Sequence, residues 1–373
     1  MNIERIASWS DAAGLRDEWN RLAGGIPFRQ WEWLGTWWQH YGADRHWYVL
    51  AVRDAAGRLA GIAPWCQQSQ PAFGRVVQFL GSGETCTDHL SVLCDERDRP
   101  AVTTALAQWL CEASFRDGDA GWDMLHLDGV VGDDAPTTDL LRLLESEGCT
   151  VHRRSDLHVW RIALPATWDA YRSQLSKPNR RHFRVLQERL IDPGLVKVQV
   201  ARTSAQLDSA WTMLVDLHQR RRHELGQPGC FASPAFGAFA RQAAEAFFER
   251  GQLELSWVEQ GGAPLAVQLG FVGAQTTYAY QVGIDPLRRA DSPGWLVHGQ
   301  SIQRAIELGH TTFDFLRGDE PHKHRMGARA TPLNTVRVVA PRLGPKMLHT
   351  AWATGDAVKN WIKSGLQMAG MRS

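Results

Sequence analysis

The stretch of residues 253–327 constrains the fold of this chain more than any other part of the sequence. Apolar and β-branched runs separated by turn residues predict strands, and an apolar segment that ends at Gly309 predicts a helix. The predicted strands are residues 253–258, 264–272, 276–283 and 312–316, and the predicted helix is residues 295–308. This order of elements favours an α/β or α+β fold built on a mixed sheet.

The loop that follows the last of these strands, residues 317–327, is denser in ionisable residues than its surroundings. It places Asp319, Glu320 and Lys323 directly beyond an apolar strand. We expect chemistry in this loop. The alternative is a solvent-exposed charged turn with Pro321 as its bend.

Length, charge and cysteine usage set broad limits. A chain of 373 residues can form two domains or one large domain, and a formal net charge of +1 neither favours nor excludes nucleic acid. Six cysteines without C-x-x-C spacing predict neither a metal site nor a disulfide framework, and they indicate a reducing compartment. Without an apolar leader or a membrane-length apolar window, we expect a cytoplasmic protein with no transmembrane segment.

The two halves of the chain share one order of predicted elements: helices, a hairpin, and then strand, helix and strand. This correspondence suggests two related lobes. Pro165 and the potential helix N-cap Thr167 predict a boundary near residue 160. We therefore expect lobes over residues 1–160 and 161–343 and an amphipathic helix over residues 344–373. That helix is expected to pack across the lobes, with peripheral membrane contact as the alternative.

The predicted helix after Pro27 carries more aromatic residues than one face can hold, including Trp31, Trp33 and Trp37. Burial of the helix on two sides would accommodate them. The alternative is an aromatic groove for an elongated substrate.

Two basic patches lie in the second half of the chain. The first contains Lys177, Arg180, Arg181, Arg184 and Arg189, and the second contains Arg220, Arg221 and Arg222. Arg180 and Arg184 are one helical turn apart and can hold a single anionic group between them. Phosphate binding and a solvated basic face are both open interpretations of the first patch.

Several single residues are further candidates. Asp88 follows a Gly-Ser-Gly turn that permits close approach of a ligand, although turn formation explains the glycines equally well. His218 lies on the apolar stripe of a predicted helix, as either a hydrogen-bonded core histidine or a base. Tyr278 and Tyr280 share one strand face, where a phenol can pack or donate a proton. Asp314, on the opposite strand face from its phenylalanine neighbours, is expected to make structural hydrogen bonds.

The sequence resembles the GNAT-superfamily acyltransferases of the BioF2-like and CelD type, which are related to the Fem peptidyltransferases. The matching motifs are Gly262-x-Pro264-x-Ala266, Tyr278-x-Tyr280, Pro293-Gly294, Phe313-Asp314-Phe315 and residues 318–323, together with residues 28–38 and 61–64 of the first half. The resemblance therefore covers nearly the whole chain. It implies tandem GNAT-like lobes, each with a mixed β-sheet flanked by helices.

The resemblance also implies a site for an acyl-CoA co-substrate, either acetyl-CoA or another acyl-CoA. Its pyrophosphate would sit on the loop that opens the helix at Trp295, because a helix N-terminus presents free amides to an anion. The matching residues are Arg288, Arg289, Pro293, Gly294 and Trp295. Asp291 in the same loop departs from the family pattern.

A lysine that stabilises the attacked carbonyl in Fem-type relatives matches Lys323. His322 and Met326 stand where the relatives have aromatic residues. A fixed cation beside a developing oxyanion lowers the barrier of acyl transfer. Asp319 and Glu320 would hold Lys323 or accept a proton, and Tyr280 would protonate the departing thiolate.

Together, these expectations predict an acyl-CoA-dependent N- or O-acyltransferase. Its acceptor would be a sugar, nucleotide-sugar or peptidic precursor of the cell envelope or of an exopolysaccharide. The acceptor-side candidates are Arg180, Arg181, Arg184, Asp88, His218 and Arg222. One alternative is a Fem-like transferase that uses charged tRNA, the one nucleic acid we expect as a partner. The other is a non-catalytic GNAT-like subunit that binds other polysaccharide-biosynthesis proteins.

Overall fold

The computed structural model describes residues 1–347, 349 and 350. Within this range the strands are β1 (Asn2–Arg5), β2 (His46–Trp47), β3 (Leu50–Arg53), β4 (Leu59–Ala63), β5 (Trp65–Gln70), β6 (Gly74–Phe79), β7 (Leu93–Cys94), β8 (Met124–Val131), β9 (Thr150–Ala163), β10 (Val196–Val200), β11 (Leu253–Gln260), β12 (Ala263–Val272), β13 (Thr276–Ile284), β14 (Thr312–Arg317) and β15 (Arg329–Val339). The helices are α1 (Trp9–Ala13), α2 (Arg16–Leu22), α3 (Trp31–Tyr41), α4 (Arg99–Ala113), α5 (Ala135–Ser146), α6 (Trp168–Gln174), α7 (Lys177–Leu186), α8 (Ser204–Glu224), α9 (Pro234–Glu249), α10 (Pro293–Glu307) and α11 (Pro321–Arg325).

Two sheets organise these elements. A small sheet has the strand order β1-β3-β4-β7, and a large mixed sheet has the order β10-β11-β12-β13-β14-β9-β15-β8-β6-β5-β2. Strands from both halves of the chain thus lie in one continuous sheet, and helices flank it. The predicted fold class, a mixed-sheet α/β fold with tandem lobes, is confirmed.

Strands β9 and β15 join the two halves. β15, which is late in the sequence, lies between β9 and β8 and pairs antiparallel with both. Sequence patterning did not predict β9, because most of its side chains between His152 and Leu157 are polar and exposed on both faces. The predicted boundary near residue 160 falls inside this strand.

Helix α3 forms the aromatic contact between the halves. Trp33 is completely buried and packs edge-to-face on Phe271 of β12 and Tyr280 of β13, with ring centroids 5.4 and 5.1 Å apart. Trp31 and Trp37 are also buried. The prediction that this helix is buried on two sides is confirmed.

The large sheet opens between β13 and β14. These strands pair in parallel only from Thr276 with Thr312 to Tyr278 with Asp314. Beyond this point β13 stays paired with β12 and β14 stays paired with β9, so the two strands separate. A register shift against β12 leaves Tyr280 as an extra residue of β13, which is the arrangement of a β-bulge and bends the strand locally.

Helix α10 lies beside the open part of the sheet. It begins at Pro293, where a missing N–H costs nothing, and Ser292 before it has a left-handed conformation with φ 51°. Gly299 allows α7 to pack closely, because a Cβ atom there would lie 2.6 Å from the Phe183 ring. Basic helix α7 is therefore held directly against the helix that borders the opening.

Two further predictions concern the end of the chain. The predicted charged loop 317–327 contains the short helix α11, with Pro321 at its first position. Apart from its first residues, the predicted helix over residues 344–373 lies outside the described residues. In the described part, we find no helix of the length and apolarity needed to cross a membrane.

Candidate active site

A cavity of about 190 Å³ occupies the opening between β13 and β14. Both halves of the chain line it. The lining residues are Cys86, Asp88, Arg222, Gln268, Ala279, Tyr280, Gln281, Val282, His298, Phe315, Leu316, Arg317, Glu320, His322 and Lys323. Five of the residues predicted for the site, Asp88, Arg222, Tyr280, Glu320 and Lys323, thus converge on one cavity.

Tyr280 holds its phenol at the contact between the halves. The hydroxyl donates a hydrogen bond to the Thr85 backbone carbonyl at 2.9 Å. Burial raises the pKa of Tyr280 well above its ordinary value, because the phenolate would lose its hydration. The residue is therefore a protonated donor at neutral pH.

Lys323 is held in place by backbone carbonyls. Its side chain is buried, and Nζ donates to the carbonyl oxygens of Leu316, Arg317 and Gly318 at 3.2, 2.7 and 2.9 Å. Glu320 lies 2.9 Å from the same nitrogen. These contacts use the three protons of the ammonium group. Lys323 thus closes the turn after β14, while its positive charge still faces the cavity.

The two acidic candidates of the same turn have different surroundings. Asp319 is exposed, accepts hydrogen bonds from Trp160 at 2.9 Å and His158 at 3.2 Å, and is not among the lining residues. Glu320 lines the cavity. Burial acts to raise the pKa of Glu320, but attraction to Lys323 and their hydrogen bond outweigh it, so that the pKa lies below its ordinary value.

Asp88 and Arg317 form a buried ion pair across the two halves. The Arg317 Nε and backbone N–H donate to the two carboxylate oxygens of Asp88 at 2.6 and 2.7 Å. Burial raises the pKa of Asp88, and Arg317 counteracts this by stabilising the carboxylate. Sequence reasoning chose Asp88 but missed Arg317, whose position directly after an apolar strand was its available signal.

Backbone strain is concentrated around this pair. Cys86 and His89 in the first half and Leu316 in the second half have φ values of 47°, 65° and 58°, which are unfavourable for residues other than glycine. Asp314 contributes to holding this region, since it accepts hydrogen bonds from the Leu316 N–H at 2.7 Å, Arg161 and His89. Its predicted structural hydrogen bonding is confirmed.

His298 and His322 also line the cavity, although neither was predicted as a site residue. Their rings stack, with centroids 5.3 Å apart and an angle of 3° between the planes. Burial lowers the pKa of His298 to about 3, with smaller contributions from His322 and Lys323. No sequence signal marks His298, because a single histidine in an amphipathic helix is common. The sequence marks His322 only by its place at a position where the resembled family has an aromatic residue.

The residues predicted to bind the acyl donor lie at the start of α10. Arg288 is paired with Asp291 at 2.7 Å, and Arg289 is paired with Glu224. Residues Pro286–Asp291 form a 3₁₀ helix that uses backbone amides internally, while the Trp295 and Leu296 N–H groups are bonded to the Ser292 carbonyl. A donor phosphate would therefore have to replace carboxylates at the two arginines.

The remaining predicted residues lie outside the cavity lining. Arg180, Arg181 and Arg184 lie on α7 and line a shallow surface cavity of about 610 Å³ with Lys177. His218 is buried, hydrogen-bonded to Gln219 at 3.1 Å and 3.5 Å from the Cys230 sulfur. Burial lowers the pKa of His218, consistent with a neutral core histidine. Among the described residues, no group of three or more acidic, histidine or cysteine side chains is arranged to hold a metal ion.

Most of the residues that line this cavity lie in a region that is similar to a known family. Residues 177–324 match the family model of the acetyltransferase (GNAT) domain. They contain β13, β14, α10 and the loop with Lys323. A comparison with curated proteins found no match.

Solved structures share the fold over most of the chain at low sequence identity. The structure of FemX has a TM-score of 0.62 at 13% identity and covers 90% of this chain and 97% of its own. The structure of a conserved protein of unknown function from Bacteroides thetaiotaomicron has a TM-score of 0.57 at 11% identity, and the match covers 91% of this chain and 100% of that protein. The C-terminal domain of a putative lysylphosphatidylglycerol synthetase from Agrobacterium fabrum has a TM-score of 0.52 at 12% identity, and the match covers 90% of this chain and 96% of that domain.

The acetyltransferase domain match lies within the second half, and the likeness to FemX extends over both halves. The open sheet, the bulged strand and the adjoining helix are the parts of that fold which surround the cavity. Residues 177–324 are therefore similar to the acetyltransferase (GNAT) domain, and the chain as a whole has a fold similar to that of FemX.

Proposed function

We propose that this protein transfers an acyl group from an acyl-CoA thioester to an amine or hydroxyl in the cavity between β13 and β14. One observation carries the proposal: the sheet opens at the Tyr280 bulge and encloses a cavity of about 190 Å³ beside the first turns of α10. A thioester carbonyl placed there meets backbone donors of a bent strand, which is the kind of environment that stabilises a tetrahedral oxyanion.

The charges around the cavity support this chemistry. Lys323, Arg317 and Arg222 give the walls positive charge, and the negative charges of Glu320 and Asp88 are balanced by Lys323 and Arg317. A positive, partly enclosed site favours a transition state that develops negative charge on oxygen. In this arrangement Lys323 acts by its field and by shaping the turn, because its protons are already donated to carbonyl oxygens.

Two groups of arginines suggest where the acyl donor and the acceptor would bind. Arg288, Arg289 and the Gly294 amide would hold the donor phosphates, once the arginines exchange Asp291 and Glu224 for phosphate oxygens. Trp295 and Pro293 would border this end of the donor. The acceptor would be a sugar, nucleotide-sugar or peptidic precursor of the cell envelope, and Arg180, Arg181 and Arg184 on the adjacent α7 suit its anionic groups.

A direct assay tests this proposal. The purified protein is incubated with acetyl-CoA or longer acyl-CoA and a panel of amino sugars, nucleotide sugars and short peptides, and thiol release is followed. We expect thiol release that depends on the acceptor. If no acceptor in the panel stimulates thiol release, the proposal is wrong, and the protein is better described as a GNAT-like binding subunit of polysaccharide biosynthesis.

A second candidate is aminoacyl transfer from charged tRNA. The exposed basic surface of α7 and of the segment after it, with Lys177, Arg181 and Arg189, favours it, since phosphate backbones bind such surfaces. Calorimetric titration with charged tRNA and with acetyl-CoA separates the two donors. Binding of tRNA that weakens steeply with salt, together with no binding of acetyl-CoA, would favour the second candidate.

A further inference from the structure

Acyl transfer to an amine or hydroxyl needs a group that takes the acceptor's proton. The acidic residues of the cavity are poorly placed for this task. Asp88 is committed to Arg317, and Glu320 is committed to Lys323. Asp319 is exposed outside the lining and binds Trp160 and His158. A neutral imidazole in the wall is the remaining kind of base among the described lining residues.

His322 has the geometry of such a base. It lies in the first turn of α11, lines the cavity and is partly exposed to it. Within the described part of the chain, neither ring nitrogen has a hydrogen-bond partner. A ring nitrogen is therefore available to a bound acceptor, unlike the carboxylates around it.

The neighbouring His298 holds the His322 ring from one side. The His298 Nδ1 is bonded to the Gln268 side-chain oxygen, and the Gln268 amide donates to the Ser301 hydroxyl at 2.9 Å. The Gln268 oxygen accepts, so the proton of His298 lies on Nδ1. These two hydrogen bonds fix the plane of the His298 ring. Because the His322 ring stacks parallel to it, with centroids 5.3 Å apart, His298 also restricts the orientation of His322.

We propose that His322 is the general base of the transfer and that His298 is its positioning residue. The inference rests on the proposed function. The attacking nitrogen or oxygen of the acceptor forms a bond to the thioester carbonyl carbon while its proton moves to a ring nitrogen of His322. The carbon–sulfur bond then breaks, the thiolate leaves and takes a proton from solvent, and the His322 imidazolium returns its proton to solvent.

The surroundings of His322 favour the neutral form. Burial lowers its pKa; Glu320 opposes this shift, whereas Lys323 and Arg325 act in the same direction as burial. The other charged or titratable groups that line the cavity are the neutral His298 on α10, Arg222 of α8, Arg317 of β14, Tyr280 of β13, and Asp88 and Cys86 of the first half. The protein therefore contains an unprotonated base at neutral pH, and activity is lost as the pH falls through a value below about 6.5.

The test compares two histidines of the same short helix. His324 is exposed, two residues beyond His322, and is not among the cavity lining residues, so His324→Gln is the matched control for His322→Gln. We expect His322→Gln to lower kcat by about 10²- to 10⁴-fold with little change in the KM for acyl-CoA, and to abolish the acidic limb of the kcat profile. His324→Gln should keep the wild-type rate and limb.

Two additions guard against a trivial loss of folding. Thermal unfolding of each variant reports its stability, and His322→Ala with added imidazole should regain activity if a base is missing. For His298→Gln we expect a smaller fall in kcat with the acidic limb retained but shifted.

The outcomes separate the two claims. A wild type that releases no thiol with any acceptor contradicts the proposed function and the role of His322 together. An active wild type with an equally active His322→Gln variant and an unchanged acidic limb contradicts only the role of His322. A folded but inactive His322→Ala variant that imidazole does not rescue also counts against it.

Discussion

Asp88 and Arg317 come from opposite halves of the chain and form a buried ion pair, 2.6 Å between Oδ1 and Nε, in the wall of the cavity between β13 and β14. The Asp88 carboxylate also accepts the Arg317 backbone N–H at 2.7 Å. A single acidic side chain thus fixes both the backbone and the side chain at the end of β14. The shape of the cavity consequently depends on contact between the halves.

Removal of Asp88 should be costly. Asp88→Ala leaves the Arg317 guanidinium with only the more distant Asp128, 3.4 Å away, and the Thr87 carbonyl as partners. We expect a loss of about 3–5 kcal/mol in the free energy of unfolding, measured by urea denaturation. The control is Glu4→Gln, which breaks the exposed Arg53–Glu4 pair and should cost less than about 1 kcal/mol. Equal small effects of both substitutions would contradict a structural role for the buried pair.

Lys323→Met separates shape from charge. Methionine approximates the length of the stem but leaves the carbonyls of Leu316, Arg317 and Gly318 without their buried donor. We expect destabilisation of about 1–3 kcal/mol for each carbonyl that stays unsatisfied and a loss of acyl transfer. Lys323→Arg restores a donor and a charge. If Lys323→Arg is as stable as wild type yet inactive, the exact position of the ammonium matters to catalysis; wild-type stability and activity in Lys323→Met would contradict both roles.

His298 should make stability depend on pH. Its pKa is about 3 in the folded protein, against about 6.5 in an unfolded chain. As the pH falls below 6.5 the unfolded state binds a proton that the folded state does not, so His298 contributes stability above pH 6.5 that is lost progressively down to about pH 3. The loss is about 1.4 kcal/mol per pH unit. Urea unfolding at pH 7, 6 and 5 gives the free energy of unfolding of both proteins, and we expect it to change less with pH in His298→Gln than in wild type. An equal change with pH in both proteins would contradict this role of His298.

The sequence predicted the strands and helix of the central stretch because their patterns are local. Strand β9 was not predicted because much of it is polar on both faces, and because its partner β15 lies more than 150 residues away in the sequence. Lys323 could be chosen from the family resemblance and Asp88 from the turn before it, but their convergence with Tyr280 on one cavity needed the structure. The pairing of Asp88 with Arg317 and the stack of His298 on His322 join distant segments, and no spacing rule predicts them.

The hydrogen bonds of the Lys323 ammonium group are a second feature that the sequence could not predict. Its place in the loop and its charge were visible, but its carbonyl partners exist only because Leu316 adopts a left-handed conformation and the chain folds back over α11. Likewise, the arginines of the donor loop were visible, while their pairing with Asp291 and Glu224 needed the structure.

The central claim is that the acyl donor occupies the cavity between β13 and β14. Protection of Cys86 from alkylation by the bound donor tests this claim most directly. Cys86 is the exposed cysteine among the six and lines the cavity, whereas Cys94 and Cys111 lie outside that lining and are internal controls. The measurement is the rate of Cys86 alkylation, followed by peptide mass mapping, with and without acetyl-CoA. The account predicts that saturating acetyl-CoA slows alkylation of Cys86 and leaves Cys94 and Cys111 unchanged. An unchanged Cys86 rate in the presence of acetyl-CoA would contradict it.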